Sequence, residues 1–150
     1  MTVDLKGKTA LVTGAGKKMG IGYAIARKLA ARGANMILTD LIGKEGRQGA
    51  SPTESIAEMT GLAEKLAETY KIRAVALELD VTDGDAIGRL TVRIKQQFGQ
   101  VHILCNNAGA VFGVPNAVHT YDEAAWLKTI DVNLHGVFRV SKAVVPLMTD

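Results

Sequence analysis

Residues 13–22 read TGAGKKMGIG, a glycine-rich stretch between a short apolar run and an amphipathic helical pattern. Thr9 to Val12 form the apolar run, which is typical of a buried strand, and Ile21, Ala24 and Leu29 recur on one helix face. A strand, a tight turn and a helix start bring backbone N–H groups and the positive end of the helix dipole to one point. Since glycine lacks a Cβ, a pyrophosphate can approach such a turn closely. The stretch predicts a phosphate site, with plain turn glycines as the alternative.

The composition indicates one globular domain in a reducing compartment. Of 150 residues, 47% are hydrophobic and 22% are charged, which suits a single core, so we expect residues 1–150 to form one domain. A single cysteine, Cys105, gives no disulfide framework. The segment from Met1 to Lys8 is polar, and no run approaches the roughly 20 apolar residues of a membrane span. We therefore expect a cytoplasmic protein that has no membrane partner.

The charge distribution and the histidine spacing bear on whether the chain binds nucleic acid or a metal ion. The chain has 18 basic and 15 acidic residues, a net charge of +3, and its lysines and arginines are scattered over helix faces and one loop. This pattern does not suggest a nucleic-acid partner. His102, His119 and His135 have no spacing that suggests a metal site, so we expect no metal.

Strand and helix patterns alternate along the rest of the chain. Further strands are predicted at Asn35–Asp40, Arg73–Leu79 and Val101–Asn106, and loops at Leu41–Thr53 and Asn107–His119. Short strands separated by helices form βαβ units with right-handed crossovers. We expect an α/β fold with a Rossmann-type doubly wound parallel sheet, strand order 3-2-1-4, and helices on both faces.

The predicted helices carry start and stop signals. Gly33 is predicted to cap the end of the first helix. The last helix is predicted from about Tyr121 towards Met148, with Pro146 kinking or ending it. Three helix starts have capping-box spacing: Ser55 with Glu58, Thr82 with Asp85, and Thr120 with Glu123.

Polar residues follow the predicted strands at their carboxyl ends, where open parallel sheets bind ligands. Asp40 ends the second strand, 20 residues after Gly20, and its carboxylate can accept hydrogen bonds from both hydroxyls of an adenosine ribose or simply be solvated. Asp80 follows the third strand, where it can contact adenine or help to cap a helix. Asn107 follows the fourth strand, where it can brace the strand end and touch the cofactor.

In these motifs, the chain resembles the short-chain dehydrogenase/reductase family from about Lys6 onward. Residues 13–22 look like the family's TGxxxGIG element, and residues 106–109, NNAG, match a second element as it stands. Residues 131–138, DVNLHGVF, look like the family's helix segment with a catalytic asparagine, which would be Asn133.

The resemblance implies an NAD(P)-dependent oxidoreductase. Such an enzyme reversibly transfers a hydride between a nicotinamide and a small-molecule alcohol or carbonyl substrate. In the family the asparagine holds a water in a proton relay, and complete members are often homodimers or homotetramers. The residues that the resemblance and the strand ends together place at the cofactor are Gly14, Gly16, Met19, Gly20, Ile21, Gly22, Asp40, Leu41, Asp80, Val81, Asn107, Ala108 and Gly109.

The choice between NAD and NADP depends on charges near the glycine turn. A carboxylate at Asp40 repels a 2′-phosphate. Lys17 and Lys18 are either solvated loop residues or contacts for that phosphate. We expect NAD, and NADP is possible.

Two loops depart from the family pattern. Five residues, Ala15 to Met19, stand where the family usually has three, and the extra pair is most simply Lys17 and Lys18. The segment from Leu41 to Thr53 is also longer than the family's usual connection. It predicts a surface insertion, with a lid or an oligomer contact as alternatives.

The family's catalytic serine and its tyrosine–lysine pair have no counterpart in the chain. In the family a lysine follows the tyrosine by four residues, whereas none of Tyr23, Tyr70 and Tyr121 has a lysine at that spacing. We expect the front half of a family member, without its C-terminal catalytic portion. A non-catalytic dinucleotide-binding module is the alternative. Cys105, in an apolar strand, is predicted to be a core residue rather than a nucleophile.

Overall fold

A four-stranded parallel sheet organises the protein, whose computed structural model describes residues 4–43 and 55–149. The strand order is β3-β2-β1-β4, as predicted. Most of the predicted loop from Leu41 to Thr53 lies outside the described residues. The strands are β1 (Thr9–Thr13), β2 (Asn35–Asp40), β3 (Ala74–Glu78) and β4 (Ile103–Cys105).

Helices follow each of the first three strands, and a longer helical region ends the described chain. A single turn of 3₁₀ helix, Val118–Thr120, precedes this last region, and a π-helical turn, Asp131–His135, interrupts it. The helices are α1 (Ile21–Ala30), α2 (Ile56–Tyr70), α3 (Gly84–Phe98), α4 (Glu123–Ile130), α5 (Gly136–Val144) and α6 (Pro146–Thr149). As predicted, Pro146 marks a break, since α6 begins there.

Side chains alternate between the two faces of the sheet and build a core on each side. On one face, Val12 and Leu38 pack under α1 and α2. On the other, Leu11 and Ile37 pack with residues of α3 and α5. Because helices cover both faces, the central strands β1 and β2 are buried on both sides, which explains why they read as continuous apolar runs.

Two helix starts differ from the sequence predictions, because a neighbouring aspartate caps the helix in place of the predicted threonine. Asp83, not Thr82, caps α3, and its side chain accepts hydrogen bonds from the amides of Asp85 (2.9 Å) and Ala86 (3.0 Å). Similarly, Asp122 rather than Thr120 caps α4. Aspartate is among the strongest N-cap residues, so it wins the cap position from a neighbouring threonine.

The end of α1 has the predicted glycine cap. The regular helix ends at Ala30, and Gly33 follows with a left-handed φ of +90°. The Gly33 amide donates to the Ala30 carbonyl (2.9 Å) and the Ala34 amide donates to the Leu29 carbonyl (3.3 Å), so Gly33 closes the helix end in a Schellman motif. The Ser55 cap of α2 was predicted correctly: its hydroxyl accepts from the amide of Glu58 (3.1 Å).

The fourth strand is shorter than predicted, three residues instead of the six from Val101 to Asn106. At its start, the Val101 amide donates to the Leu147 carbonyl of α6 (3.0 Å), outside the sheet ladder. At its end, the Asn106 side chain donates to the Ser141 hydroxyl of α5 (3.0 Å). Both flanking positions thus bond to the last helical region, a tertiary contact that local pattern does not reveal.

Candidate functional site

The carboxyl edge of the sheet collects the predicted polar motifs. In the register of β1 and β2, Thr13 pairs with Thr39, so Gly14 and Asp40 leave their strands side by side. In the register of β2 and β3, Asp40 pairs with Glu78, which places Asp80 close along the same edge. Parallel order therefore brings together residues that are far apart in the sequence.

The glycine turn is a place of close backbone approach. A Cβ on Gly14, which has a φ of +66°, would lie 2.8 Å from the Cα of Ala108. A Cβ on Gly22 would overlap the Gly14 carbonyl oxygen and lie 2.6 Å from the Asn107 side-chain nitrogen. Side chains at these two positions would therefore push apart β1, α1 and the segment after β4.

The two extra residues of the turn are looped outward. The Gly20 amide donates to the Lys17 carbonyl (2.8 Å), which closes a reverse turn. Lys18 is exposed and Met19 is 94% exposed at its tip. The helix still starts at Ile21, because the insertion is accommodated before the N-terminus of α1.

The N-terminus of α1 has no side-chain cap. Its N-cap residue, Gly20, has no side chain, and no acidic residue lies in the first turn. In contrast, Ser55, Asp83 and Asp122 cap α2, α3 and α4. The first amides of a helix have no intrahelical partner, and the positive end of the dipole lies there. An anion is therefore the natural partner of this terminus.

Asp40 lies against the glycine turn. One of its carboxylate oxygens accepts from the Gly16 amide (2.7 Å), and the other accepts from the Leu41 amide (2.8 Å). Next to it, the Ala15 amide donates to the Thr39 carbonyl (3.0 Å). Each carboxylate oxygen has two lone pairs, so each can accept one more hydrogen bond from a ligand hydroxyl.

Asn107 braces the turn with all the donors of its side chain. Its side-chain nitrogen donates to the carbonyls of Thr13 and Gly14, both at 2.9 Å. The Thr13 hydroxyl in turn accepts from the amides of Asn107 and Ala108, both at 3.0 Å. Thr13 was not among the predicted site residues. Its sequence signal is its place as the threonine of the TGxxxGIG-like element, at the end of β1.

Asp80 and Val81 follow β3 on the far side of Asp40. Asp80 accepts hydrogen bonds from the amide (2.9 Å) and the hydroxyl (2.6 Å) of Thr82, so part of its role is to shape the entry to α3. Val81 is 8% exposed, and its side chain packs against Gly136. Both readings of Asp80, ligand contact and local capping, remain compatible with this geometry.

A cavity of about 400 Å³ opens beside Asp80 and Leu41. It is partly apolar, with charged side chains from β3 and α3 around it. Its size is within the range of small-molecule pockets. Its lining residues are Leu41, Ile42, Leu77, Glu78, Asp80, Asp83, Ala86, Arg89, Leu90 and Arg93.

Asn133 lies on the π-helical turn between α4 and α5. Its side-chain nitrogen donates to the carbonyls of Ala110 (2.6 Å) and Thr129 (2.9 Å), and its oxygen accepts from the Ala110 amide (3.2 Å). A Cβ on Gly109 would lie 2.7 Å from that oxygen. Asn133 is thus tied to the NNAG segment, a contact that the sequence did not reveal. π-Turns occur often at functional sites.

Other titratable groups do not supply a second candidate site. Burial raises the pKa of the Cys105 thiol and of the Tyr23 phenol, so both groups are held in their neutral forms. In residues 4–43 and 55–149 no cluster of side chains is suited to hold a metal ion. Within the same ranges, no helix is both long and apolar enough to cross a bilayer.

Comparison with known proteins supports the same class of fold. A family model described as short chain dehydrogenase matches residues 8–150. The chain is 38% identical over 146 residues to the 3-oxoacyl-acyl-carrier-protein reductase FabG of Escherichia coli K12, which covers 97% of this chain and 51% of the relative. The chain spans about half the length of the curated relatives it matches.

Solved structures agree. Carveol dehydrogenase from Mycobacterium avium in complex with NAD matches with a TM-score of 0.83 and 30% identity, over 98% of this chain and 51% of that one. A metagenomic short-chain oxidoreductase in complex with NADP matches with a TM-score of 0.76 and 29% identity, over 96% of this chain and 57% of that one. The chain therefore belongs to the short-chain dehydrogenase family.

Proposed function

We propose that the chain is the dinucleotide-binding half of an NAD(P)-dependent oxidoreductase that interconverts an alcohol and a carbonyl compound, with NAD preferred. The observation that carries this proposal is the uncapped N-terminus of α1 directly after a turn in which Gly14 and Gly22 leave no room for a Cβ. This arrangement suits the pyrophosphate of a dinucleotide. The nicotinamide would supply the hydride-transfer chemistry.

Different groups of the predicted residues would contact different parts of the dinucleotide. The pyrophosphate would be surrounded by Gly14, Gly16, Met19, Gly20, Ile21 and Gly22. Asp40 would accept hydrogen bonds from the hydroxyls of the adenosine ribose. Leu41, Asp80 and Val81 would lie at the adenine, beside the 400 Å³ cavity. The cofactor would also contact the segment between the glycine turn and Asn133, which consists of Asn107, Ala108 and Gly109.

Asn133 would act by position and by its oxygen. Its nitrogen is committed to two carbonyls, while the side-chain oxygen keeps one acceptor site after bonding the Ala110 amide. That site can hold a water for a proton relay. The tyrosine, lysine and serine of such a relay would come from a C-terminal portion outside residues 1–150.

A non-catalytic dinucleotide-binding module is the second candidate function. It is favoured by one observation, that no tyrosine of the chain has a lysine four residues later. Among the tyrosines, Tyr23 is buried with a raised pKa, and Tyr121 donates its hydroxyl to the Phe112 carbonyl. Neither is set up as a proton donor to a substrate.

The location and assembly of the whole protein are part of the same proposal. One cysteine in 150 residues suits the cytoplasm. A homodimer or homotetramer is supported by exposed apolar side chains on the last helical region. These are Trp126 (55% exposed), Leu127 (59%), Leu134 (60%) and Phe138 (64%).

Calorimetric titration of the purified chain with NAD and with NADP tests the proposal. We expect both to bind and NAD to bind more tightly, because the Asp40 carboxylate disfavours a 2′-phosphate. The 150-residue chain should show no turnover with nicotinamide and simple alcohols. A folded chain that binds neither nucleotide would refute the function, and tighter binding of NADP would refute the preference.

A double variant, Lys17→Ala with Lys18→Ala, separates the two roles of the inserted lysines. If they are solvated loop residues, NADP affinity should change by less than about twofold in moderate salt. Their loss should weaken NADP selectively if they contact the 2′-phosphate. The nucleotide preference would then have to be assigned to both the acid and the lysines.

A further inference from the structure

The bonds of Asp40 connect two parts of the protein that are far apart in the sequence. Gly16 and Asp40 are 24 residues apart, yet the amide and the carboxylate oxygen lie 2.7 Å from each other. The second oxygen bonds the Leu41 amide at 2.8 Å, which fixes the orientation of the carboxylate. The short Gly16 bond to an ionised acceptor is of the strong, charge-assisted kind.

We propose that Asp40 is a positioning residue for the phosphate-binding turn, in addition to any contact with ribose. The inference rests on the proposed function, since it concerns the same site. It assigns Asp40 a role in the cofactor-free protein, where it holds the first half of the turn against the end of β2.

The length of the turn explains why an anchor is needed here. The five residues from Ala15 to Met19 include Gly16, which has many backbone conformations in the absence of a side chain. The second half of the turn is closed by the Gly20 to Lys17 bond and by the first bond of α1, from the Ala24 amide to the Gly20 carbonyl (3.1 Å). The first half is held by the Ala15 to Thr39 and Gly16 to Asp40 bonds.

The anchor does not compete with ribose. Each oxygen of Asp40 bonds one backbone amide and can accept one more hydrogen bond. The same carboxylate can therefore hold the turn before the cofactor arrives and receive two hydroxyls afterwards. Binding then requires little rearrangement of the turn, which lowers its entropic cost.

The two roles predict opposite effects on a ligand that has phosphates but no ribose. If Asp40 only contacts ribose, removing its negative charge should leave the affinity for inorganic pyrophosphate unchanged or increase it. If Asp40 holds the turn, its removal should weaken pyrophosphate binding, because the amides are no longer preorganised. The sign of the change therefore distinguishes the two roles.

The experiment compares the full chain with Asp40→Ala, Asp40→Asn and a control, Asp85→Asn. Asp85 is an exposed acid in the first turn of α3, so its replacement removes the same charge outside the glycine turn. Pyrophosphate affinity is measured by NMR titration, and hydrogen exchange of the Gly16 amide is measured without ligand. Exchange in the core strand β1 reports whether each variant is folded.

We expect Asp40→Ala to weaken pyrophosphate binding by about threefold or more and to speed Gly16 exchange by about tenfold. Asp40→Asn, which keeps one acceptor oxygen, should lie between the wild type and Asp40→Ala. Asp85→Asn should change neither measurement by more than about twofold. If Asp40→Ala does not fold, Asp40→Asn and the exchange rate of Gly16 decide the question.

Unchanged or tighter pyrophosphate binding together with unchanged Gly16 exchange in folded Asp40 variants would overturn the inference. If NAD affinity falls in those same variants, the acid contacts ribose alone and the proposed function survives. If the wild type binds no dinucleotide, the proposed function fails, while Gly16 exchange still tests the anchor.

Discussion

Thr13 holds the site together from inside the sheet. Its hydroxyl accepts two successive backbone amides, from Asn107 and Ala108, and it is 2% exposed. The Asn107 side chain returns two hydrogen bonds to the carbonyls of Thr13 and Gly14. The end of β1 is thereby joined to the segment after β4 by four polar bonds, and the glycine turn starts from a fixed base.

Replacing Thr13 with valine should destabilise the protein. The shape is kept, but two partly buried amides lose their acceptor, at a cost of about 1 to 3 kcal/mol. Thr39→Val is a matched control, because Thr39 pairs with Thr13 in register and is fully buried, and its hydroxyl makes a long 3.5 Å hydrogen bond to the Val12 carbonyl. Urea unfolding measures both variants. Equal losses would show that the Thr13 bonds contribute little.

Gly22→Ala should be more damaging than an ordinary glycine substitution. Its Cβ would overlap the Gly14 carbonyl oxygen, and overpacking of this kind costs about 1 to 3 kcal/mol. Gly88→Ala in α3 is the control: nothing lies within 4 Å of its Cβ, and alanine should gain about 0.5 to 1 kcal/mol from helix propensity. Thermal unfolding should therefore shift in opposite directions. A shift in the same direction for both would contradict the close approach.

At the scale of elements, the order of strands and the faces of helices follow from pattern, whereas the contacts at their ends do not. Continuous apolar runs and the 3.6-residue period predict β1, α1 and β2 within a few residues. The cap positions of α3 and α4 were assigned to threonines, because spacing alone does not distinguish them from the neighbouring aspartates. The shortening of β4 depends on bonds to α5 and α6, which no local rule contains.

In the candidate site, too, the strand order is predictable from the sequence, whereas individual contacts are not. Strand ends in a parallel sheet predict that the glycine turn and Asp40 meet at one edge, and the register places them there. The bond from Gly16 to Asp40 and the contact of Asn133 with Ala110 were not predicted. Both depend on the path of irregular backbone, which is set by tertiary packing and not by residue type.

The π-turn and α5 share an ion pair whose effect depends on pH. Hydrogen bonds from Arg139 (2.7 Å) and then from His135 (3.3 Å) lower the pKa of Asp131 below its usual 3.8. A lowered pKa stabilises the fold at pH values above the ordinary one, and this stabilisation is lost as the pH falls through the lowered value. Both side chains are about a third exposed, so the gain is below about 1 kcal/mol.

Arg139→Gln should therefore raise the pKa of Asp131 towards its usual value. The measurement is an NMR titration of the Asp131 carboxyl carbon between pH 2 and 6, a range chosen around the ordinary aspartate pKa of about 3.9. Lys128→Gln, which removes a charge of the same sign from α4, is the control, since Lys128 is not among the groups that lower this pKa. The same pKa in Arg139→Gln and the wild type would show that the pair does not form in solution.

At the scale of the whole molecule, the described sheet has two outer strands, β3 and β4. β3 lies at one edge beside the cavity, and β4 lies at the other. Large apolar side chains of the last helical region are exposed, with Leu134 of the π-helical turn at 60% and Phe138 of α5 at 64%. Several large apolar side chains exposed within one short stretch of chain favour an interface there. The curated relatives are about twice as long as this chain, so in them a further part of the same polypeptide can cover such surface.

When the 150-residue chain is purified alone, its exposed apolar side chains can be buried against a second copy of the chain. We therefore expect concentration-dependent self-association, measured by sedimentation velocity, and a weakening of about tenfold or more in Leu134→Lys. A buried leucine contributes about 2 kcal/mol, and 1.4 kcal/mol corresponds to a factor of ten. Val92→Lys is the control, since Val92 is 56% exposed on α3, outside the last helical region. If both variants associate like the wild type, the contact lies elsewhere. The outer edge of β4, the last strand of the described sheet, is then the next surface to test with a charged substitution.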